Sequence, residues 1–388
     1  MTFTYYSHNT IVFGEGAEDH LEELFAQYQA TSILLIYSGD YVSELGIRDH
    51  VLQAAAKVGA TVIENSDVVP NPRIDLVRKL VQQAREHHVD LVLAAGGASS
   101  YDTAKSVAAG VPYDGDVWDL FTGKAVPDEV LPIGVIAGLP GSGSEMSDCA
   151  VVQQGKDKRF LEDRKIIPNF TVVDPKNSAL VPRRYQAAAI ADLATAYTEP
   201  YFSADIAIHS VDYFLEGGLR AVLDVGRRWI DDPDDIAVRQ ELHWISSTGF
   251  NDFYFSFGRT VDWTTHRIEH EIGGEFDVIH GEGITALMPS IIRFVGRRQP
   301  QRYAQLETRV FGGDPYAHTE SELAGLLADE FERFFKDLGL NTTLSALGIP
   351  KSSFETIADH VTDFGKGTVG NYSPLSKSDV IEVLNLAY

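Results

Sequence analysis

Between residues 32 and 96 short apolar runs alternate with segments of helical spacing, a rhythm that leaves few folds open. Ser32-Ile33-Leu34-Leu35-Ile36-Tyr37 ends at the turn signal Ser38-Gly39-Asp40. Val42, Leu45, Ile47, Val51, Leu52 and Ala55 then recur at mainly helical spacing, predicting a helix over about 42–58 that Gly59 stops. Thr61-Val62-Ile63-Glu64 reads as a second strand, a second helix is expected over roughly 74–88, and Leu91-Val92-Leu93-Ala94-Ala95 runs into Gly96-Gly97. Ile133 to Ala137 forms a further apolar strand before a loop of small residues, Gly138 to Ser144. Strand and helix in alternation with short connections imply right-handed crossovers in a largely parallel, Rossmann-like sheet.

After Asp174-Pro175 and Pro182 the texture changes, and from about 185 to 387 the apolar residues keep a 3.6-residue period with few strand candidates. The expectation is an α/β domain over 1–180 and an all-α domain over 181–388, with no sheet beyond a short hairpin between 190 and 380. A length of 388 residues suits two domains.

Charge narrows the function. With 32 basic and 56 acidic side chains the net charge is −24, and no basic run interrupts it, so a nucleic-acid partner is not expected. One cysteine, Cys149, cannot form an internal disulfide, which fits a reducing, cytoplasmic setting. Met1 to Tyr6 lacks the basic and apolar regions of a targeting signal, and no stretch approaches the ~18 apolar residues of a membrane span.

Three segments carry chemistry. Gly96-Gly97-Ala98-Ser99-Ser100-Tyr101-Asp102-Thr103-Ala104-Lys105 joins a buried strand to a helix. Small residues there let a diphosphate approach the backbone and the free N–H groups of the helix start, although a tight turn without a ligand reads the same way. Gly138-Leu139-Pro140-Gly141-Ser142-Gly143-Ser144-Glu145 is a second such loop, and neither has the Lys-Ser or Lys-Thr register of a P-loop. The third runs from Asp262-Trp263 to His266-Arg267-Ile268-Glu269-His270, with His280-Gly281 ten residues further on. His266 and His270 are four apart and share a helical face, and a third histidine beside a glycine makes a metal site credible. The same five residues fit the H-x-x-E-H pattern of a zinc metalloprotease, with Glu269 as general base.

Together these segments resemble the iron-containing alcohol dehydrogenase family, and its butanol-dehydrogenase-like branch in particular. Gly96-Gly97-Ala98-Ser99 with Asp102 and Lys105 is similar to G-G-G-S-x-x-D-x-A-K, with Ala98 for the third glycine. Leu139 to Met146 is similar to L-P-A-T-G-S-E-M, and Lys158, ten residues before Pro168, matches a cofactor-facing lysine. The resemblance implies a dehydroquinate synthase-like architecture, a homodimer, and a cleft holding NAD(P) and a divalent metal, Fe2+ or Zn2+. It implies cofactor contacts from Ser38, Gly39, Asp40, Asn71, Gly96, Gly97, Ala98, Ser99, Asp102, Leu139, Ser142, Ser144 and Lys158. It also implies metal ligation by Asp192, His266 and His280 and a small alcohol or aldehyde as substrate; His270, near those ligands by helical geometry, is the candidate proton relay.

Two departures bear on this. The D-x-x-x-H ligand pair falls on Asp192 to Ala196, so one imidazole is an alanine methyl and the metal is expected to be weakly held. A family member that binds a dinucleotide without turnover is the competing reading. The loop that accepts an NADP 2′-phosphate as Gly-Gly-Gly-Ser reads Ser38-Gly39-Asp40-Tyr41 here, which favours NAD, because the Asp40 carboxylate repels that dianion.

Overall fold

The computed structural model describes residues 7–205, 208–250, 254 and 259–388, so the N-terminal hexapeptide read for a targeting signal lies outside the described residues. The chain divides into two compact units. Among the described residues, one comprises 7–182 with 234–250, and the other 183–233, 254 and 259–388.

The first unit is built on a six-stranded sheet from β1 (Thr10–Phe13), β2 (Ser32–Tyr37), β3 (Thr61–Asn65), β4 (Leu91–Gly96), β5 (Ile133–Ala137) and β8 (Phe170–Val173). Their order is β3-β2-β4-β5-β8-β1, every pair parallel. The hairpin of β6 (Cys149–Gln154) and β7 (Asp157–Glu162) forms a separate antiparallel pair. Both faces of the main sheet are covered, which explains why its strands are apolar throughout rather than alternating. Leu34, Ile36, Val92, Ala94 and Val135 face α4 (Ile74–Glu86) and α5 (Ala98–Gly110), and Ile33, Leu35, Leu93 and Val172 face α1 (Leu21–Gln27) and α3 (Ile47–Val58). At Gly134 a Cβ would lie 2.2 Å from the Phe170 ring on β8, so glycine there makes room for an aromatic on the neighbouring strand.

The helix expected over 42–58 is two, α2 (Tyr41–Glu44) and α3, because Gly46 adopts a left-handed φ of 77° between them. After α6 (Trp118–Phe121) and the hairpin, the chain leaves for the second unit at α7 (Arg183–Thr198) and α8 (Ser210–Asp231). It returns once, in α9 (Ile236–Gly249), which belongs to the first unit although it follows the sequence boundary near 180. The Trp244 ring meets the edge of Phe13 on β1 at 5.5 Å, and Ser246 and Ser247 bond the Glu145 carboxylate.

The second unit is helical among the described residues. It comprises α7, α8, α10 (Thr264–Phe276), α11 (His280–Gly296), α12 (Gln301–Leu306), α13 (Glu320–Asp337), α14 (Phe354–Val361) and α15 (Lys377–Leu386). Its β pairing includes an isolated bridge between Val369 and Leu375. From Gly281 to Gly296 nearly every residue of α11 is buried, which makes it the central helix. No described helix is long and apolar enough to cross a membrane.

Candidate active site

Numbered within the central five strands, the sheet order is 2-1-3-4-5, and the order reverses between β2 and β4. Ligands of open α/β sheets bind outside the carboxyl ends of the strands at such a switch point. The structure brings most of the expected cofactor residues to that edge. Ser38, Gly39 and Asp40 follow β2, Asn71 follows β3, Gly97, Ala98 and Ser99 follow β4, and Leu139, Ser142 and Ser144 follow β5. Asp40 is exposed.

Gly96 has a φ of 122°, and a Cβ on it would lie 2.9 Å from Ser38 Oγ and 3.1 Å from the Tyr41 hydroxyl. The two loops flanking the switch point therefore approach more closely than any side chain allows. Across the gap Ser100 Oγ donates to Ser38 Oγ at 2.9 Å. Gly97 is extended and precedes α5, whose first N–H groups open onto the strand end.

The Asp and Lys of the first motif also hold neighbouring segments together. Asp102 is buried, and its carboxylate accepts Ser144 Oγ at 2.6 Å and the Val151 N–H at 3.1 Å. One turn on, the fully buried Lys105 ammonium donates to Ser144 Oγ (3.0 Å) and to the carbonyls of Ser147 and Cys149 (2.8 Å each). These side chains tie α5 to the second loop and to the hairpin. Burial raises the Asp102 pKa, against which Lys105, the Ser144 and Val151 bonds and Lys158 work. Lys158 lies on β7 of the hairpin. Glu145 is a third strut: its buried carboxylate accepts from Ser247 (2.9 Å) and Ser246 (3.2 Å), and Ser246 Oγ accepts the Gly141 N–H. Sequence reasoning missed α9 as the buttress of this loop, since nothing local marks Ser246 and Ser247 as partners of a residue a hundred positions earlier.

In the second unit α7, α10 and α11 bring three expected ligands together. One donor atom each of Asp192, His266 and His280 lies within 4.8 Å of the others. His266 Nε2 is 3.6 Å and His280 Nε2 is 3.7 Å from Asp192 Oδ1. Ligands around a tetrahedral ion with bonds of ~2.1 Å stand about 3.4 Å apart, so the spacing fits a divalent metal. The tautomers fit as well. His266 Nδ1 bonds Glu199 Oε2 at 2.5 Å, and His280 Nδ1 bonds Glu269 Oε2. A proton held at each Nδ1 by a carboxylate leaves the Nε2 lone pairs aimed at the space beside Asp192. Burial works against a charged His266, yet Glu199 and Asp192 outweigh it and push its pKa up to about 10, so the pocket favours positive charge and a metal ion binds there by displacing the Nε2 proton.

The approach of α11 to α7 is set by Gly281, where a Cβ would stand 2.1 Å from the Ala188 carbonyl oxygen, one turn before Asp192. His270 is half-buried, its ring 5.7 Å from that of His280 and 6.2 Å from that of His266. Ala196, one turn after Asp192, is fully buried. Glu199 was not anticipated, although it falls just past the end of α7, seven residues after Asp192. The metalloprotease reading fails on Glu269, which is fully buried and engaged by His280 rather than presented to a water.

A flavodoxin-order nucleotide-binding sheet followed by an all-helical unit with a carboxylate and two imidazoles defines the architectural class. Within that class the comparisons are specific. The family described as "Iron-containing alcohol dehydrogenase" matches residues 8–175, and its counterpart "Fe-containing alcohol dehydrogenase family, C-terminal" matches residues 186–388. The chain is 33% identical over 384 residues to probable NADH-dependent butanol dehydrogenase 1 of Bacillus subtilis, with 98% of each chain covered. It is 32% identical over 391 residues, the whole of both, to NADH-dependent butanol dehydrogenase A of Clostridium acetobutylicum. The crystal structure of NADH-dependent butanol dehydrogenase A from Thermotoga maritima superposes with a TM-score of 0.94 at 28% identity, covering 100% of this chain and 98% of that one. The protein belongs to the iron-containing alcohol dehydrogenase family.

Proposed function

We propose that this chain is a metal-dependent alcohol dehydrogenase and aldehyde reductase that moves hydride between NAD(P) and a small primary alcohol or aldehyde. The observation that carries the reading is the convergence of Asp192, His266 and His280 with both Nε2 atoms turned to one carboxylate oxygen. A divalent cation, when bound, supplies Lewis acidity to the alcohol or carbonyl oxygen, and the nicotinamide takes up or delivers hydride. Glu199 and Glu269 hold the two imidazoles in the tautomer that ligates. His270 is the proton relay, near enough to the ligand rings to exchange a proton with substrate. In the first unit Gly96 and Gly97 admit a diphosphate to the backbone, and Asp40 sets the preference for NAD over NADP. The same reading makes the enzyme a cytoplasmic homodimer.

Metal analysis of the purified protein, followed by alcohol-dependent NADH formation with added Fe2+ or Zn2+, tests the proposal. Metal-dependent gains in thermal stability and turnover are expected. Dinucleotide binding with no turnover at saturating metal would instead favour the non-catalytic reading that Ala196 raises.

A further inference from the structure

A second concave site lies in the helical unit, and none of its lining belongs to the metal cluster. Residues Glu307–Phe311 form one turn of π-helix closed by Gly312 at a φ of 88°, an insertion that often marks a functional site. Between this turn and α8 is a cavity of about 290 Å³ lined by Arg220, Leu223, Arg227, Val310, Phe311 and Glu330. Arg220 and Arg227 are seven residues apart and so share one face of α8.

These arginines stand out in a chain of net charge −24. Neighbouring arginines have carboxylate partners: Arg309 pairs with Glu216 at 3.0 Å and Arg333 with Glu330 at 2.8 Å. Arg220, by contrast, bonds only the Arg309 carbonyl, and Arg227 makes no hydrogen bond or ion pair among the described residues. Glu330 is the one carboxylate among the lining residues, and Arg333 Nη1 donates to both of its oxygens. Behind the turn, Glu307 is buried, and its Oε2 has no protein hydrogen-bond partner. Burial, and then the neighbouring Glu330, push its pKa up to about 7, so Glu307 carries less than a full charge near neutrality. The cavity therefore pairs two guanidinium groups that have no carboxylate partner among the described residues with an apolar wall of Leu223, Val310 and Phe311.

We propose that this cavity binds a small amphipathic carboxylate, its head group on Arg220 and Arg227 and its hydrocarbon body on Leu223, Val310 and Phe311. Guanidinium groups match a carboxylate in geometry and charge. Ligand pockets usually run from ~300 to 1,000 Å³, so this one suits a short-chain acid and excludes a nucleotide. An inorganic anion would leave the apolar wall uncovered.

Calorimetric titration of the holoenzyme with hexanoate tests the site, with hexanamide and inorganic phosphate as probes that lack the charge and the apolar body respectively. Saturable hexanoate binding is expected, tighter than either control. Arg227→Gln should weaken it about tenfold, the loss of one charge-assisted contact, while leaving alcohol oxidation unchanged. Arg227 is exposed and makes no hydrogen bond or ion pair among the described residues, so this variant should fold; Arg220→Gln, which also frees the Arg309 carbonyl, is the second variant. The proposal is overturned if no saturation appears by about 20 mM, well above the ~1 mM range of weak specific binding. Equal affinity of Arg227→Gln and the parent overturns it too, as does hexanoate that competes with alcohol and ignores the substitution, for it would then sit at the metal.

Discussion

Replacing Gly281 by alanine places one methyl group where two helices touch. The added Cβ would lie 2.1 Å from the Ala188 oxygen and 2.6 Å from its carbonyl carbon, both backbone atoms that no rotamer change can move. A carbon and a carbonyl oxygen tolerate approach to about 3.3 Å, so α7 and α11 must part locally by about 1.2 Å. That separation is read directly at the site, because His280 precedes Gly281 on α11 and Asp192 follows Ala188 by one turn on α7. Metal–ligand bonds tolerate about ±0.2 Å, so the helices cannot relax and keep all three ligands. Overpacking of this kind costs about 1–3 kcal/mol, a fall of roughly 2–12 °C in Tm for a unit of this size. A displacement of ~1 Å at the reacting centre costs on the order of 100-fold in rate. Metal stoichiometry by mass spectrometry, Tm with and without added Fe2+ or Zn2+, and kcat/KM for alcohol oxidation are the measurements. Gly325→Ala on α13 is the control, since no atom lies within 4 Å of its added Cβ and the helix should gain up to ~1 kcal/mol. If Gly281→Ala keeps full metal content and kcat/KM, the glycine contact does not set the site.

Ala196→His should restore an imidazole one helical turn from Asp192 and tighten metal retention through dialysis, whereas His280→Ala should abolish the metal-dependent rise in Tm; unchanged retention in both variants would remove Asp192 and His280 from the ligand set. Asp40→Gly should move the ratio of kcat/KM for NADP over NAD upward by roughly tenfold, the scale of a near-surface charge repulsion, and no change in that ratio would show that Asp40 turns away from the cofactor. His243, fully buried on α9 with no protein partner on either ring nitrogen, is pushed down by burial to about 3. Unfolding lets it take up a proton below its ordinary ~6.5, so its contribution to stability is present above that pH and is lost as pH falls toward 3, by at most ~5 kcal/mol. His243→Leu should flatten the acid limb of a denaturation profile between pH 6.5 and 4, and an unaltered slope would refute the assignment.

Local sequence was enough for the parts of this protein that depend on short-range periodicity. The strands around Leu34, Leu93 and Val135 are continuous apolar runs because helices cover both faces of the sheet, and that pattern survives in a single sequence. Glycines after β4 and β5 and the histidines flanking Gly273 and Gly274 were legible for a related reason: backbone approach and imidazole chemistry admit few substitutes. Family resemblance added Asp192, which no local pattern singles out. Contacts between distant segments were decided by the tertiary structure alone. Whether Asp102 and Lys105 face a ligand or each other's neighbours depends on Ser144 and Val151, some forty to fifty residues on. That Glu269 holds an imidazole rather than activating a water depends on His280 folding back over α10. Glu199, the α9 buttress and the paired arginines of α8 belong to the same group, since a hydrogen bond or a cavity wall is fixed by where the chain returns in space, and hydrophobic periodicity carries no record of that return.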